Sequence, residues 1–326
     1  MQLLDVRNLT IELRTSETVI RAVDRVSFSL KEGEVHALVG ESGSGKSLIA
    51  KAIVGVLNER WNITADRIHW RGVDLMRLTP EQRRQTVSKD IAMIYQDPSR
   101  CLDPTAKIFN QIAETLPEVA RKGFFLKRNR ERKDRVKALI HKVGIKNHEA
   151  VLDSYPHELS EGVCQKVMIA MAISNNPSIL IADEATTSLD VTTQIQIVNL
   201  LSDIQNKTGM SIIWITHDLS LASRIANRVV VMYAGKILEE ASAYSLYNKP
   251  FHPYTNALLQ AVPQLDTKRV TRFKNINGNI SNSLGINNSC VYEPRCDQSF
   301  NDCMTHPPNI LLDDEHNVAC WLYKSQ

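Results

Sequence analysis

"GESGSGKS", residues 40–47, follows the apolar run "EVHALV" and precedes "LIAKAIVGV". It fits the pattern Gly-x4-Gly-Lys-[Ser/Thr], which arises by accident in roughly one chain in a hundred of this length at average residue usage. A predicted strand before it and a predicted helix after it, about 46–56, give the context in which this pattern binds phosphate. The glycines let successive backbone N–H groups wrap an anion at a helix N-terminus, and the lysine reaches the β- and γ-phosphates. Gly40, Glu41, Ser42, Gly43, Ser44, Gly45, Lys46 and Ser47 are therefore candidate nucleotide-binding residues, with the Ser47 hydroxyl as a Mg²⁺ ligand.

Working outward, "LLDVRNLTIEL" and "AVDRVSFSLKEGEVHALVG" read as strands, with Glu32-Gly33 as a turn. Further along, "SILIADEA" and "MSIIWITHD" are buried strands, "TTQIQIVNLLSDIQNKTG" and "SLASRIAN" are helices, and "RVVVMYAGKILEEA" is a hairpin around Ala234-Gly235. Strands alternating with helices predict an α/β fold, its mainly parallel sheet covered on both faces. From about 98 to 170 the pattern is helical throughout. Its basic run "ARKGFFLKRNRERKDRVKALI" reads first as a solvated helical face and second as a surface for lipid headgroups or a membrane partner. From about 250 the chain turns irregular, with a linker-like stretch "NINGNISNSLGINNS".

The 326 residues suffice for one large domain and a smaller one, and 43% apolar with 23% charged residues is ordinary globular usage. A net charge of +3 gives no argument for nucleic acid. No apolar run is long enough to span a membrane, and Asp5 and Glu12 interrupt what a signal peptide would need, so a cytoplasmic chain is expected. Cys101 and Cys164 stand alone, whereas Cys290, Cys296, Cys303 and Cys320 crowd the end as C-x5-C-x6-C-x16-C. In a reducing compartment such crowding suggests metal, and four thiolates suit a [4Fe–4S] cluster or tetrahedral zinc.

"ILIADEA" complements the phosphate loop. Asp183 closes an apolar strand, a place suited to the Mg²⁺ shell, and Glu184 follows as the base that polarises an attacking water. Taken in order, "GESGSGKS", Gln96 in "MIYQDP", "LSEGV", "ILIADE", "TTSLD" and His217 in "ITHD" resemble the ATP-binding subunits of ABC transporters. "HPYTNALLQAVP" and the terminal cysteines are further marks of the dipeptide and oligopeptide permease branch.

The resemblance implies a P-loop, RecA-like ABC ATPase domain over 1–245, with a helical subdomain at about 98–170. A small Cys-rich extension over 246–326 follows. It implies that Gln96 senses Mg²⁺ and the attacking water, that Asp190 lies on the loop linking two ATPase subunits, and that His217 contacts the γ-phosphate. It tips the cysteine tail towards [4Fe–4S], with zinc second. It implies as partners a homologous second ATPase, two integral membrane permease subunits and an extracytoplasmic substrate-binding protein, but no nucleic acid. The chain would sit peripherally on the cytoplasmic face of a bacterial inner membrane, with ATP and Mg²⁺ as cofactors and peptides as the implied cargo. The aromatic that usually stacks on adenine is missing from "IELRTSETV", leaving Leu13 or Arg14 as substitutes.

One motif departs from the family. In "HELSEGVCQKVMIAMAI", residues 157–173, the usual Leu-Ser-Gly-Gly reads Leu159, Ser160, Glu161, Gly162. Family members sandwich two ATP molecules, each between one subunit's P-loop and the other's signature helix. A carboxylate about 4 Å from a phosphate charge costs on the order of 4 kcal/mol at an effective dielectric of 20. Alternatively, Glu161 points outward and complements the helix dipole, worth under about 1 kcal/mol. The first case predicts an asymmetric heterodimer, impaired where Glu161 meets the partner's nucleotide and competent at this chain's own P-loop. A regulatory ATP-binding subunit with little hydrolysis is the runner-up. A soluble ABC ATPase acting on DNA or ribosomes is disfavoured by the single P-loop and the short helical insertion.

Overall fold

The computed structural model describes residues 2–15, 18–117, 125–187, 189–261, 288–313 and 315–324. The linker-like residues 275–287 and residues 120–124 of the basic run, Phe124 included, lie outside them, as do the side chains of residues 125–128, Phe125 among them. The chain forms two compact units: Met1–Arg83 with Ile213–Gln326, and Arg84–Ile212.

The first unit opens with β1 (Gln2–Arg14) and β2 (Val19–Lys31), long antiparallel partners; β1 buries the runs 3–6 and 9–11, and β2 alternates from Val26 onward. β3 (Val35–Val39) leads into the phosphate loop and α1 (Lys46–Val54), which ends at Gly55 in the left-handed conformation, φ 83°. β4 (Trp61–Thr64), β5 (Arg67–Trp70) and β6 (Val73–Asp74) then complete a sheet in the order β2-β1-β5-β6, with β4 also against β1. These three short strands escaped the sequence reading.

α2 (Pro80–Asp90) leads into the second unit, where β7 (Ile91–Ile94) pairs in parallel with a later strand. Between them come α3 (Pro98–Cys101), α4 (Ile108–Thr115), α5 (Phe125–Lys142), α6 (His148–Asp153) and α7 (Glu161–Ala172), the helical stretch expected from the pattern. α3, α4 and α5 all pack on α7, sharing a core that includes Ile108, Ile112, Val136, Ile140 and Val167. β8 (Ile179–Asp183) is buried along its whole length, as a parallel strand covered on both faces must be. α8 (Val191–Thr208) buries Ile197, Leu201 and Ile204 at helical spacing.

β9 (Ser211–Thr216) carries the chain back to the first unit, followed by α9 (Leu219–Ile225) and by β10 (Arg228–Tyr233), which runs parallel to β3. β10 turns at Ala234-Gly235 into antiparallel β11 (Lys236–Ser242), the predicted hairpin. α10 (Ala243–Asn248) and α11 (Pro253–Ala261) come next. The C-terminal segment ends with β12 (Asn309–Asp313) and β13 (His316–Ala319), the latter pairing with β11.

Candidate functional site

Packing fixes the phosphate loop on two sides. A Cβ on Gly40 would stand 2.1 Å from the Met232 carbonyl oxygen, and one on Gly45 2.7 Å from that of Ala22. Only glycine lets the loop lie this close to β10 and β2. Gly43 and Gly45 also take positive φ, 85° and 98°, and the Gly235 N–H in the hairpin turn donates to the Ser44 carbonyl at 3.1 Å. Lys46 is 3% exposed. Its ammonium donates to the carbonyls of Gly40 (2.7 Å) and Glu41 (2.9 Å) and to Ser44 Oγ (3.2 Å). This is a sheltered cation at the N-terminus of α1, in a loop that packs too closely on its neighbours at Gly40 and Gly45 for a side chain there: a cradle that fits a phosphate chain.

The second unit brings together Gln96 and Glu184, with Gln96 Nε2 donating to Glu184 Oε2 at 2.9 Å. Thr187 Oγ1 donates to the same oxygen at 3.3 Å. Glu184 holds φ 48°, a strained conformation for a residue other than glycine, of the kind retained at functional sites. Asp183, 5% exposed, ends β8 immediately before it. Ser160 has N-cap backbone geometry at α7 but makes no side-chain capping bond, and Glu161 occupies the first turn, half-buried. The charge of Glu161 adds to burial in raising the pKa of Cys164. A Cβ on Gly162 would stand 2.7 Å from Thr193 Cγ2. Thr193 in turn donates to Asp190 through Oγ1 (2.6 Å) and its N–H (3.0 Å), which holds the Asp190 carboxyl below its usual range. His217 lies on the first unit, exposed, just beyond β9.

Three neighbours were not legible in the sequence. Tyr254 Oη accepts the Glu41 N–H at 3.0 Å, and Arg295 Nη1 donates to Glu41 Oε2 at 3.1 Å. These contacts join residues 213 and 254 positions apart, so no local pattern announces them. Trp61 on β4 stands opposite Leu13 in the β1 register. An aromatic thus sits beside the position for which the sequence offered only Leu13 or Arg14.

The expected metal centre is corrected. Cys290, Cys296, Cys303 and Cys320 line one cavity, but its volume is about 10 Å³, far below what a four-iron cluster occupies. Among the described residues no group of three or more His, Cys, Asp or Glu side chains is placed to hold a metal ion. Burial pushes the Cys290 and Cys320 thiols up to about 11. The [4Fe–4S] assignment, and zinc with it, is withdrawn.

Residues 23–187 match the family model for ABC transporters, and residues 238–303 match that for the C-terminal region of oligopeptide/dipeptide transporters. The chain is 44% identical over 322 residues to the peptide transport system ATP-binding protein SapD of Salmonella typhimurium, covering 98% of this chain and 97% of that one. It is 40% identical over 321 residues to the dipeptide transport ATP-binding protein DppD of Escherichia coli K12, covering 98% and 96%. Among solved structures it resembles cbiO1 of Clostridium perfringens, part of the ABC transporter complex cbiONQ. That likeness has a TM-score of 0.63 and 25% identity, and covers 76% of this chain and 91% of that one.

Proposed function

This chain belongs to the ABC transporter family, and on that premise we propose that it works as one half of an asymmetric pair of ATPase subunits. It is the ATP-binding subunit of a peptide ABC transporter, hydrolysing ATP to ADP and phosphate to drive transport. The hydrolytic role rests on one observation above all: Glu184, beside Asp183 at the end of a buried strand, takes a strained φ of 48° and accepts a hydrogen bond from Gln96.

In this reading Gly40–Ser47 cradle the phosphates, and Lys46 leaves its loop carbonyls for the β- and γ-oxygens. Ser47, Asp183 and Gln96 are the residues that would hold Mg²⁺, which when bound would supply positive charge to the phosphate oxygens. Glu184 takes a proton from the attacking water, and His217 steadies the γ-phosphate. Ser160–Gly162 meet the nucleotide on the partner's P-loop, and Asp190 serves the subunit junction. The partners are a homologous ATPase, two integral membrane permease subunits and an extracytoplasmic substrate-binding protein. The chain sits peripherally at the cytoplasmic face of the inner membrane. Among the described residues no helix is long and apolar enough to cross a membrane, so this reading gives the crossing to the permease subunits.

Glu161 supports the asymmetry, because it would meet a nucleotide only at the site completed by the partner. A regulatory subunit with little hydrolysis is less well supported, since Gln96, Asp183 and Glu184 are all in place. The test is Glu184→Gln in the tagged chain, extracted with its membrane partners. Turnover should fall by roughly 10²- to 10⁴-fold, the usual worth of a general base, while ATP binding persists. Unchanged turnover would sink the assignment.

A further inference from the structure

Glu41, the second residue of the phosphate loop, is gripped by the C-terminal part of its own unit. Its N–H donates to Tyr254 Oη and its Oε2 accepts from Arg295 Nη1, while its carbonyl accepts from Lys46 Nζ at 2.9 Å. Arg295 is built in rather than adventitious. Its side chain is 6% exposed, it also donates to Tyr233 Oη at 3.1 Å, and its guanidinium stands 5.5 Å from the Tyr233 ring centre. Tyr233, Tyr254 and Tyr292 pack on one another with centroids 4.9–5.3 Å apart. The other carboxylate oxygen, Glu41 Oε1, is buried without a hydrogen-bond partner.

We propose that Arg295 is a positioning residue for ATP binding, neutralising Glu41 so that its carboxylate does not capture Lys46. The proposal rests on the phosphate-loop reading above and extends it to a residue far along the chain. Glu41 touches the lysine ammonium through its backbone carbonyl, and in this proposal its carboxylate, once released by Arg295, turns to the same ammonium. A carboxylate on Lys46 competes directly with the phosphates and adds like charge beside them. Arg295 holds the carboxylate away with a charge-assisted bond, and Tyr254 fixes the backbone of the same residue.

The test compares Arg295→Gln, Arg295→Lys and the double variant Glu41→Gln/Arg295→Gln. MgATP affinity is read on the purified full-length chain, and turnover on the assembled complex. Arg295→Gln should raise the MgATP dissociation constant and KM about tenfold with kcat within about twofold, the pattern of lost binding rather than lost chemistry. Arg295→Lys, which keeps the charge, should recover most of the affinity. The double variant should recover it too, because the competing carboxylate is gone. A role in folding alone gives no such rescue by Glu41→Gln, and thermal melting of each variant reports that role separately. Unchanged affinity in Arg295→Gln, or an equal loss in the double variant, overturns the proposal. A wild-type chain that binds MgATP in a complex without turnover would instead refute the transport motor and leave this affinity comparison standing.

Discussion

Alanine at Gly43 and at Gly45 adds the same methyl group to two positive-φ positions of one loop, and the structure separates their effects. φ is 85° at Gly43 and 98° at Gly45. Both substitutions meet the left-handed penalty, roughly 1–2 kcal/mol. A Cβ at Gly43 meets nothing within 4 Å, whereas one at Gly45 meets the Ala22 carbonyl oxygen at 2.7 Å and Val23 Cγ2 at 3.0 Å. Those obstacles belong to β2, whose Val23 is paired with Ile11 of β1, so they cannot yield as a flexible side chain would. Overlap of this kind adds about 1–3 kcal/mol. Gly43→Ala should therefore destabilise the nucleotide-free chain by about 1–2 kcal/mol and Gly45→Ala by about 2–5. If the loop shifts rather than the fold, the additional 1–3 kcal/mol appears as roughly a 5- to 150-fold loss of MgATP affinity in Gly45→Ala. Urea denaturation without nucleotide and isothermal titration with MgATP measure the two routes. Equal destabilisation of both variants, with unchanged MgATP affinity in Gly45→Ala, would refute the packing argument.

Glu239, fully buried, accepts hydrogen bonds from Phe251 N–H (2.7 Å), His252 N–H (3.0 Å) and His316 Nε2 (2.7 Å). Glu239→Ala orphans all three donors and should cost roughly 3–6 kcal/mol in urea denaturation; a loss below about 1 kcal/mol would contradict the lock between β11, α11 and β13. Burial pushes His36 and His252 down to about 4, with the Arg228 charge assisting at His36 and Glu239 partly opposing at His252. The folded state therefore keeps both neutral while the unfolded chain takes up protons below about 6.5. Stability should be full above that pH and fall by about 3 kcal/mol per histidine as pH drops towards 4, and a flat denaturation profile over that window would show the assignment wrong. Glu161→Gly in the membrane complex should raise ATP turnover at least about fivefold if the carboxylate opposes the partner's nucleotide, and unchanged turnover in an active complex favours the outward-facing alternative.

The phosphate loop and the buried strands β3, β8, β9 and β10 were legible because their signal is local: short apolar runs, a glycine pattern and a helix start. β4 to β6 were not, since Trp61–Thr64 alternates half-buried with exposed residues and Val73–Asp74 has only two residues to show a period. Nor were Tyr254 and Arg295, whose partner Glu41 lies more than two hundred positions away. The cysteine spacing was visible while its meaning was not, because spacing carries neither the size of the cavity between the thiols nor how the fold places them relative to one another.

The departure at Glu161 is better understood from its neighbours than from the motif. Gly162 is fixed by packing: Thr193 fills the space a Cβ would take, and Thr193 is itself held by Asp190. The signature turn and the loop before α8 therefore constrain each other through one methyl group. Residue 161 carries no such constraint. It is half-buried in the first turn of α7, where a negative charge complements the exposed N–H groups. Ser160, meanwhile, spends no side-chain hydrogen bond on its own helix, which leaves its hydroxyl for a ligand. Replacing glycine with glutamate at 161 is thus mildly favourable to this chain's own helix, and any penalty falls on an anion brought to that helix from outside. A substitution that costs this helix nothing and charges only the face it offers to an outside anion is what the proposed asymmetric pairing requires.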